Sequence, residues 1–141
     1  MHLVDEAEKY DAMRAADVAL ATSGTVSTEL ALAGAPMVIA YKIDGLSYQL
    51  MKRMVTAKYI TLFNVAADDQ IAPEYIQHEA TPALLASAVG RLLSDPEMAE
   101  AQARRQTAAL DLMGRGGPDP SELAADAVLR VIAAKVGAGP S

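Results

Sequence analysis

Short apolar runs alternate with longer amphipathic segments along the first half of the chain. The runs over 18–21 (VALA) and 37–41 (MVIAY) are wholly apolar, and a third over 59–62 (YITL) is rich in β-forming residues. Uninterrupted runs of this length are typical of strands buried on both faces, as in a parallel sheet covered by helices. The pattern therefore predicts three short strands at these positions.

The segments between the runs carry helical signals. The segment over 25–33 ends at Gly34 and is followed by Pro36, which together form a helix stop. A second segment, over 46–55, has an apolar face formed by Leu46, Leu50, Met51 and Met54. The segment over 5–15 predicts a helix that leads into the first strand. The order β-α-β-α-β predicts an α/β fold with a partial, Rossmann-like parallel sheet.

After residue 78 the sequence becomes helical, with three start signals. Each is a capping residue directly before a proline: Thr81-Pro82, Asp95-Pro96 and Asp119-Pro120, with Glu122 in the capping-box position of the third. The apolar face of the first helix consists of Leu84, Leu85, Ala88, Val89, Leu92 and Leu93. The second helix is predicted to run to about residue 113, before the glycine-rich break over 114–118. The apolar face of the third consists of Leu123, Ala127, Val128 and Val131.

These elements predict a single unit over 1–136, with an α/β part over about 5–78, a helical part over about 81–136 and a disordered tail over 137–141. Three short strands are few for a doubly wound sheet, and a parallel sheet with a bare edge is exposed to wrong pairing. The chain therefore looks like the later half of a nucleotide-binding domain. The missing strands would come from residues upstream of Met1 or from a partner.

Composition removes several functional classes. Eighteen acidic against twelve basic residues give a net charge of −6, which argues against a general nucleic-acid binder. The absence of cysteine excludes a disulfide framework, a zinc–thiolate site and a cysteine nucleophile. The longest uncharged stretch, over 30–41, is too short for a bilayer span of roughly 20 residues, and the first residues lack a signal-peptide core. We expect a reduced, intracellular domain.

The segment that joins the first strand to the next helix is the main candidate site. It reads Ala21-Thr22-Ser23-Gly24-Thr25, and such strand-to-helix turns at the carboxyl edge of a parallel sheet bind ligands. Small residues let a ligand approach the backbone, while free N–H groups and the helix dipole favour an anion. The alternative is that Ser23 or Thr25 merely caps the helix.

Glu29 lies one turn further along. If Thr25 is the cap, the capping-box position is Thr28, so the Glu29 carboxylate is not committed to the backbone of its own helix. Two ribose hydroxyls could donate to it while a diphosphate occupies the turn. The alternative is a surface glutamate that the helix dipole favours by well under about 1 kcal/mol.

Three segments carry a family resemblance: AADVALATSGTVSTELALAGAPMVIAYKI, LSYQLMKRM and YITLFNVAADDQIAPEYIQ. The ordered residues are Pro36, Tyr41, Lys52, Arg53, Tyr59, Asn64, Pro73, Glu74 and Gln77, together with the Ser-Gly-Thr…Glu element. Over about 11–131 the chain resembles the carboxyl-terminal half of lipid A disaccharide synthase. That family consists of inverting, metal-independent glycosyltransferases with two facing Rossmann-like domains, the GT-B architecture.

The resemblance implies a function. The family joins 2,3-diacylglucosamine from a UDP donor to 2,3-diacylglucosamine 1-phosphate and releases UDP. By resemblance, Ser23, Gly24 and Thr25 would face the donor diphosphate, Glu29 the ribose, and Asn64 the donor side of the cleft. No cofactor or metal is implied, because the UDP-sugar is a substrate.

The family's general base, acceptor site and membrane-contacting surface belong to an amino-terminal domain that these residues lack. We therefore expect no catalytic residue here and no transferase activity from these residues alone. The full-length protein would be cytoplasmic, peripheral at the inner face of the inner membrane.

One stretch departs from the family pattern. After the asparagine the family often carries a Gly-Arg pair, and this chain has Asp68-Asp69 at those positions. A cation that could help to hold phosphate is therefore absent from the loop. The alternative is that the loop is structural and variable.

Other charged residues are weaker candidates. Lys52 and Arg53 could meet an anionic lipid surface, although a solvated helix face is the simpler interpretation. Neither His2 nor His78 is interpreted as a metal ligand or a base. Arg115 is interpreted as a loop cation. Asp68 and Asp69 are adjacent in one loop without other ligands, which is weak support for a metal site.

Two alternative functions remain open. One is another UDP-sugar enzyme of GT-B type, such as the peptidoglycan glucosaminyltransferase or a UDP-N-acetylglucosamine epimerase. The other is a non-catalytic module whose sheet edge and carboxyl-terminal helices exchange with a second copy, forming a swapped homodimer.

Overall fold

The computed structural model describes residues 2–43 and 58–137. A short 3-10 helix, Glu6–Glu8, precedes the first α-helix. The elements that follow are α1 (Lys9–Arg14), β1 (Ala19–Ala21), α2 (Thr25–Ala33), β2 (Met37–Tyr41), α3 (Leu62–Ala67), β3 (Glu74–Ile76), a 3-10 helix (Gln77–Glu79), α4 (Pro82–Ser94), α5 (Pro96–Leu112) and α6 (Pro120–Gly137). The predicted helix over 46–55 and the tail beyond residue 137 lie outside the described residues, and Gly137 itself ends α6.

The three strands form a parallel sheet in the order β1-β2-β3, which confirms the predicted fold class. Ala21 of β1 is in register with Ile39 of β2, and Ile39 is in register with Glu74 of β3. These three residues therefore lie at one level across the sheet. That level is where β1 ends and the chain turns towards α2.

The predicted position of the third strand is wrong. Residues 59–61 form no strand, α3 begins at Leu62, and the strand beside β2 is Glu74–Ile76. The N–H groups of Ile60 and Thr61 donate to the side chain of Glu74 instead of to a neighbouring strand. Within the run YITL, Thr61 is buried and Leu62 is 58% exposed, so the run leads into α3 and does not form a strand of the sheet.

Of the three strands in the described sheet, only the central strand, β2, is buried on both faces as the sequence pattern predicts. Met37, Val38 and Ile39 of β2 are fully buried, because β2 has a strand on each side and helices on both faces. The expectation of burial on both faces fails for β1, where Leu20 is 56% exposed. β1 lies at the edge of the described sheet.

The core has two parts, one on each face of the sheet. On one face, Met37 and Ile39 pack with Leu30, Phe63 and Leu110 from α2, α3 and α5. On the other face, Val38 packs with residues of α4 and α5, namely Ala88, Leu92 and Ala99. The odd and even residues of β2 thus serve opposite layers, as strand geometry requires.

The predicted helix boundaries are largely confirmed. α2 ends at Gly34, which has a left-handed φ of 81°. Thr81 and Asp95 cap α4 and α5, accepting hydrogen bonds from Leu84 N at 3.4 Å and Met98 N at 3.0 Å.

The carboxyl-terminal helices differ in what they bury: α5 buries polar as well as apolar side chains, whereas α6 leaves its apolar side chains exposed. Gln102 and Gln106 are buried on α5 together with apolar residues such as Ala109 and Leu110. The side chains of α6 over 120–134 are all exposed, including the predicted apolar face. None of the helices over 2–43 and 58–137 combines the length and the hydropathy that a membrane crossing requires.

Candidate functional site

The turn between β1 and α2 is open and depends on glycine. Gly24 has a φ of 140° and a ψ of −157°, a region that essentially only glycine occupies. No atom lies within 4 Å of the position that a Cβ would take there, so the requirement is conformational and not steric. Thr22, Gly24 and Thr25 are exposed. A ligand can therefore approach the backbone of this turn.

The first turn of α2 has no side-chain cap. Gly24 is the N-cap residue, and the Ser27 hydroxyl donates to the Gly24 carbonyl at 2.6 Å. Thr25 is the first helical residue and does not cap, so the alternative that Ser23 or Thr25 merely caps this helix is excluded. The first amides of a helix lack the usual intrahelical acceptor. In this turn the Ser27 amide donates to the Gly24 carbonyl at 3.2 Å, and no side chain among the described residues accepts from the amides of Thr25 and Val26. The turn has the backbone chemistry of an anion site.

Ser23 is bonded to a different part of the chain. Its hydroxyl donates to the Ile60 carbonyl at 3.0 Å, which links the β1–α2 turn to the segment before α3. A serine hydroxyl has one proton, so in this arrangement its oxygen remains available only as an acceptor. In the part of the chain that the structure describes, no acceptor meets the N–H groups of Gly24 and Thr25, so these groups, and not the Ser23 hydroxyl, are the free donors.

Glu29 is held by the first helix. Its Oε1 accepts hydrogen bonds from Lys9 Nζ at 3.1 Å and from the Tyr10 hydroxyl at 3.1 Å. The bond to Glu29, with a smaller contribution from Glu6, raises the pKa of the Lys9 ammonium above its usual value of 10.5. Within the described residues no hydrogen bond reaches Oε2. Glu29 is thus not a free surface residue, and its second oxygen is open to a further donor.

Asn64 is fully buried, with all its polar groups in use. Its Nδ2 donates to Ala72 O at 2.9 Å and to Glu74 Oε1 at 2.8 Å. Its Oδ1 accepts from the N–H groups of Ile71 at 2.9 Å and Ala72 at 3.1 Å. A direct contact between Asn64 and a sugar nucleotide stays a prediction, and this bonding favours a structural role that holds the segment after α3 in place.

Glu74 is the residue that sequence reasoning missed. It is 8% exposed, and its carboxylate accepts from Ile60 N at 3.0 Å and from Thr61 N and Asn64 Nδ2 at 2.8 Å each. The only sequence signal was its place beside Pro73 in the family resemblance, which assigned it no role. Its partners lie 10 to 14 residues away, so no local pattern could have found them.

The departure at Asp68-Asp69 has a structural explanation. Asp68 has a φ of 48°, the left-handed region that favours glycine, which fits the glycine of the family pattern. Asp69 forms an ion pair with Arg105 of α5. Lys58 lies near both aspartates, and its pKa is raised, chiefly by Tyr59 and less by the two carboxylates. The loop is thus tied to its surroundings by charge.

The weaker candidates gain no ligand chemistry. His2 and His78 are exposed, and Arg115 pairs with Asp111 at 2.9 Å near the end of α5. In the part of the chain that the structure describes, no group of three or more histidine, aspartate or glutamate side chains could hold a metal ion. Lys52 and Arg53 lie outside the described residues.

Fold and site together define a class: a partial Rossmann-like α/β unit with an open glycine turn at the carboxyl edge of its parallel sheet. The lipid-A-disaccharide synthetase family matches residues 1–128. The chain belongs to this family, whose members are glycosyltransferases of lipid A biosynthesis. This membership argues against the peptidoglycan glucosaminyltransferase and epimerase alternatives.

Individual relatives give the same assignment. The chain is 44% identical over 134 residues to the lipid-A-disaccharide synthase of Rhodospirillum centenum, covering 95% of this chain and 33% of the relative. It is 45% identical over 121 residues to that of Ruegeria pomeroyi, covering 86% and 29%. For that of Trichlorobacter lovleyi the identity is 44% over 110 residues, covering 78% and 29%. The chain spans about a third of the length of the curated relatives it matches.

Proposed function

We propose that the chain is the UDP-binding part of a lipid A disaccharide synthase. The complete enzyme would transfer 2,3-diacylglucosamine from UDP to 2,3-diacylglucosamine 1-phosphate. Family membership supports the reaction. The open Gly24 turn, with its uncapped helix amides, is the observation that carries the assignment of UDP to this part of the enzyme.

The backbone of residues 23–25 would hold the diphosphate. Among the described residues, the amides of Thr25 and Val26 at the start of α2 have no acceptor, and the helix dipole adds partial positive charge. When the anomeric carbon is attacked in a single displacement, negative charge grows on the departing UDP. Fixed donors at that point stabilise the transition state more than the ground state.

Glu29 would bind the ribose. Lys9 and Tyr10 fix one of its oxygens, so that the carboxylate is oriented before the nucleotide arrives. The other oxygen can accept from a ribose hydroxyl. Prior orientation reduces the entropy that binding costs.

The reaction needs partners that these residues do not supply. A general base must take the proton of the acceptor hydroxyl, and the family resemblance assigns that base and the acceptor site to an amino-terminal domain. We therefore propose that residues 1–141 bind UDP or its diacylglucosamine conjugate and have no transferase activity alone. The acyl chains of both sugars would bring the complete enzyme to the cytoplasmic face of the inner membrane as a peripheral protein.

Calorimetric titration of UDP against the chain tests this proposal. Glu29→Gln removes the charge that would accept from the ribose, and losing a charge-assisted hydrogen bond costs about 1.5–3 kcal/mol, or roughly 10- to 150-fold in Kd. Glu6→Gln is the matched control, because Glu6 also pairs with Lys9, at 3.3 Å, but lies outside α2. We expect weaker binding for Glu29→Gln and unchanged binding for Glu6→Gln. Equal affinity in the wild type and the Glu29→Gln variant would contradict the ribose role.

A further inference from the structure

We propose that Glu74 is a positioning residue of the nucleotide site: through the Ile60–Thr61 peptide it fixes Ser23 in the β1–α2 turn. This inference rests on the proposed binding of UDP at that turn. It assigns a role to the buried carboxylate, which the proposed reaction does not otherwise use.

The sheet register places Glu74 at the level of the turn. Glu74 pairs with Ile39, and Ile39 pairs with Ala21, the last residue of β1. Residues in register on neighbouring strands project from the same face of a sheet. The Glu74 side chain therefore starts two strands away from the turn, on the face that α2 and α3 cover.

The carboxylate holds the backbone before α3. Its Oε2 accepts from Ile60 N at 3.0 Å, and its Oε1 accepts from Thr61 N at 2.8 Å. Asn64, in the first turn of α3, donates to the same Oε1 at 2.8 Å. Charge-assisted bonds to N–H groups are stronger than neutral ones, so the carboxylate fixes this backbone more firmly than an amide would.

One peptide group connects Glu74 to Ser23. The Ile60–Thr61 peptide offers its N–H to Glu74 and its C=O to the Ser23 hydroxyl, at 3.0 Å. In a trans peptide these two groups point in opposite directions, so the plane is held from both sides. Tilting it towards or away from Glu74 moves the acceptor that orients Ser23.

No cation balances the carboxylate among the residues that the structure describes. Its three N–H donors compensate for the lost hydration. A glutamine could accept at only one oxygen, because its NH2 group would face an N–H donor. Glu74→Gln therefore keeps the shape of the side chain and weakens its hold on this backbone. The glutamine oxygen would face the two donors Thr61 N and Asn64 Nδ2, so the bond from Ile60 N is lost and the bond from Thr61 N loses its charge assistance.

A double-mutant cycle in UDP affinity tests the link. We expect Glu74→Gln and Ser23→Ala each to raise the Kd for UDP about tenfold. Because both substitutions act on the same link, the Kd of the double variant should not exceed the higher of the two single-variant values. Unchanged affinity in Glu74→Gln, tighter binding, or effects that multiply in the double variant would overturn the proposal. Gln102→Ala is the control for a purely structural defect. It removes another buried side chain bonded to backbone, at Met37 and Ile71, which has no bond to Glu74, Ser23 or the Ile60–Thr61 peptide. It should lower the melting temperature without changing the Kd.

Amide spectra without ligand separate this inference from the proposed function. In Glu74→Gln, the 1H–15N resonances of residues 23–25 should shift, whereas Glu79→Gln, which changes an exposed carboxylate on the next turn, should leave them in place. If the wild type does not bind UDP, the proposed UDP site is wrong, but the chemical shifts still test whether Glu74 positions the turn. If the resonances of residues 23–25 do not move in Glu74→Gln, the positioning role of Glu74 is wrong.

A variant at the other end of the link covers the case in which Glu74→Gln does not fold. Ser23→Ala leaves Glu74 in place and removes the bond to the Ile60 carbonyl. We expect faster hydrogen exchange at the Thr61 amide in Ser23→Ala than in the wild type. An unchanged exchange rate would show that the two ends are independent, and the proposal would fall.

Discussion

At the scale of single residues, the positions that need glycine are set by backbone angles and not by crowding. Gly34 has a φ of 81°, whereas Gly90 lies inside α4 and has no positive φ. A Cβ would meet no atom within 4 Å at either position. Both glycines thus have room for a side chain, and they differ only in backbone conformation.

Substituting alanine at these two positions should have opposite effects. Gly34→Ala should lower the free energy of unfolding by about 1–2 kcal/mol, the cost of placing an alanine in the left-handed region. Gly90→Ala should raise it by about 0.5–1 kcal/mol, because alanine is the better helix former. Urea unfolding of both variants measures the difference. Destabilisation by both to the same extent would show that something other than φ controls these positions.

The ion pair between Lys9 and Glu29 predicts a pH dependence. Because the hydrogen bond raises the folded-state pKa of Lys9 above 10.5, the pair stabilises the fold below that pH, and its contribution is lost as the pH rises through the raised value. The melting temperature of Lys9→Met should therefore fall less than that of the wild type between about pH 9.5 and 11.5.

Lys42→Met is the control for the other groups that titrate in this range, because Lys42 is an exposed lysine that forms no ion pair with the residues that the structure describes. Its melting temperature should follow the wild-type curve. Parallel curves for the wild type and Lys9→Met would show that the contact with Glu29 does not contribute to stability at any pH.

At the scale of elements, the sequence predicts what local chemistry determines. Gly34 sets the end of α2. The capping residues Thr81 and Asp95 set the starts of α4 and α5. The third strand could not be located, because its first residue is a buried glutamate bonded to backbone 13 and 14 residues earlier. Hydrophobic pattern alone assigns such a residue to the surface. Of the candidate site, the turn was predictable and the carboxylate behind it was not.

Gln102 shows the same limit within a helix, and it yields a prediction. On α5 it accepts from Met37 N at 2.8 Å and donates to the carbonyls of Met37 at 3.0 Å and Ile71 at 3.1 Å. Gln102→Ala should lower the free energy of unfolding by about 1–3 kcal/mol, because buried backbone groups lose their partner. Arg104→Ala, two residues along the same helix, breaks an exposed pair with Glu100 and should cost under about 1 kcal/mol. Urea unfolding measures both losses, and an equal decrease in the free energy of unfolding for the two variants would contradict the prediction.

At the scale of the whole molecule, apolar surface is left without a partner in the described part of the chain. Leu20 on β1 and the side chains of α6 are exposed, among them Val128 at 58% and Val131 at 59%. A helix in water gains most of its stability from packing an apolar face, and α6 packs little of its own. The chain spans about a third of its relatives' length, so we propose that the remainder of the enzyme covers these surfaces.

No described residue of the isolated chain covers the exposed side chains of α6, and a second copy offers the same apolar surface. We therefore expect light scattering to give a mass that rises above 14.8 kDa with concentration. Truncation after residue 117 removes α6 and leaves the two core clusters intact, so it should restore the monomer mass. The same truncation should leave the Kd for UDP unchanged, since the side chains of α6 over 120–134 are all exposed and none is buried against the turn at Gly24.

These two measurements separate a nucleotide-binding unit from a scaffold. Self-association that the truncation abolishes, together with UDP binding that it preserves, means that α6 is an interface and the β1–α2 turn is an independent site. Stable association in a chain that ignores UDP would instead favour the dimerisation module. A monomer at every concentration would show that exposed aliphatic side chains on α6 do not suffice for association, because scattered apolar contacts do not offset the entropy of bringing two chains together.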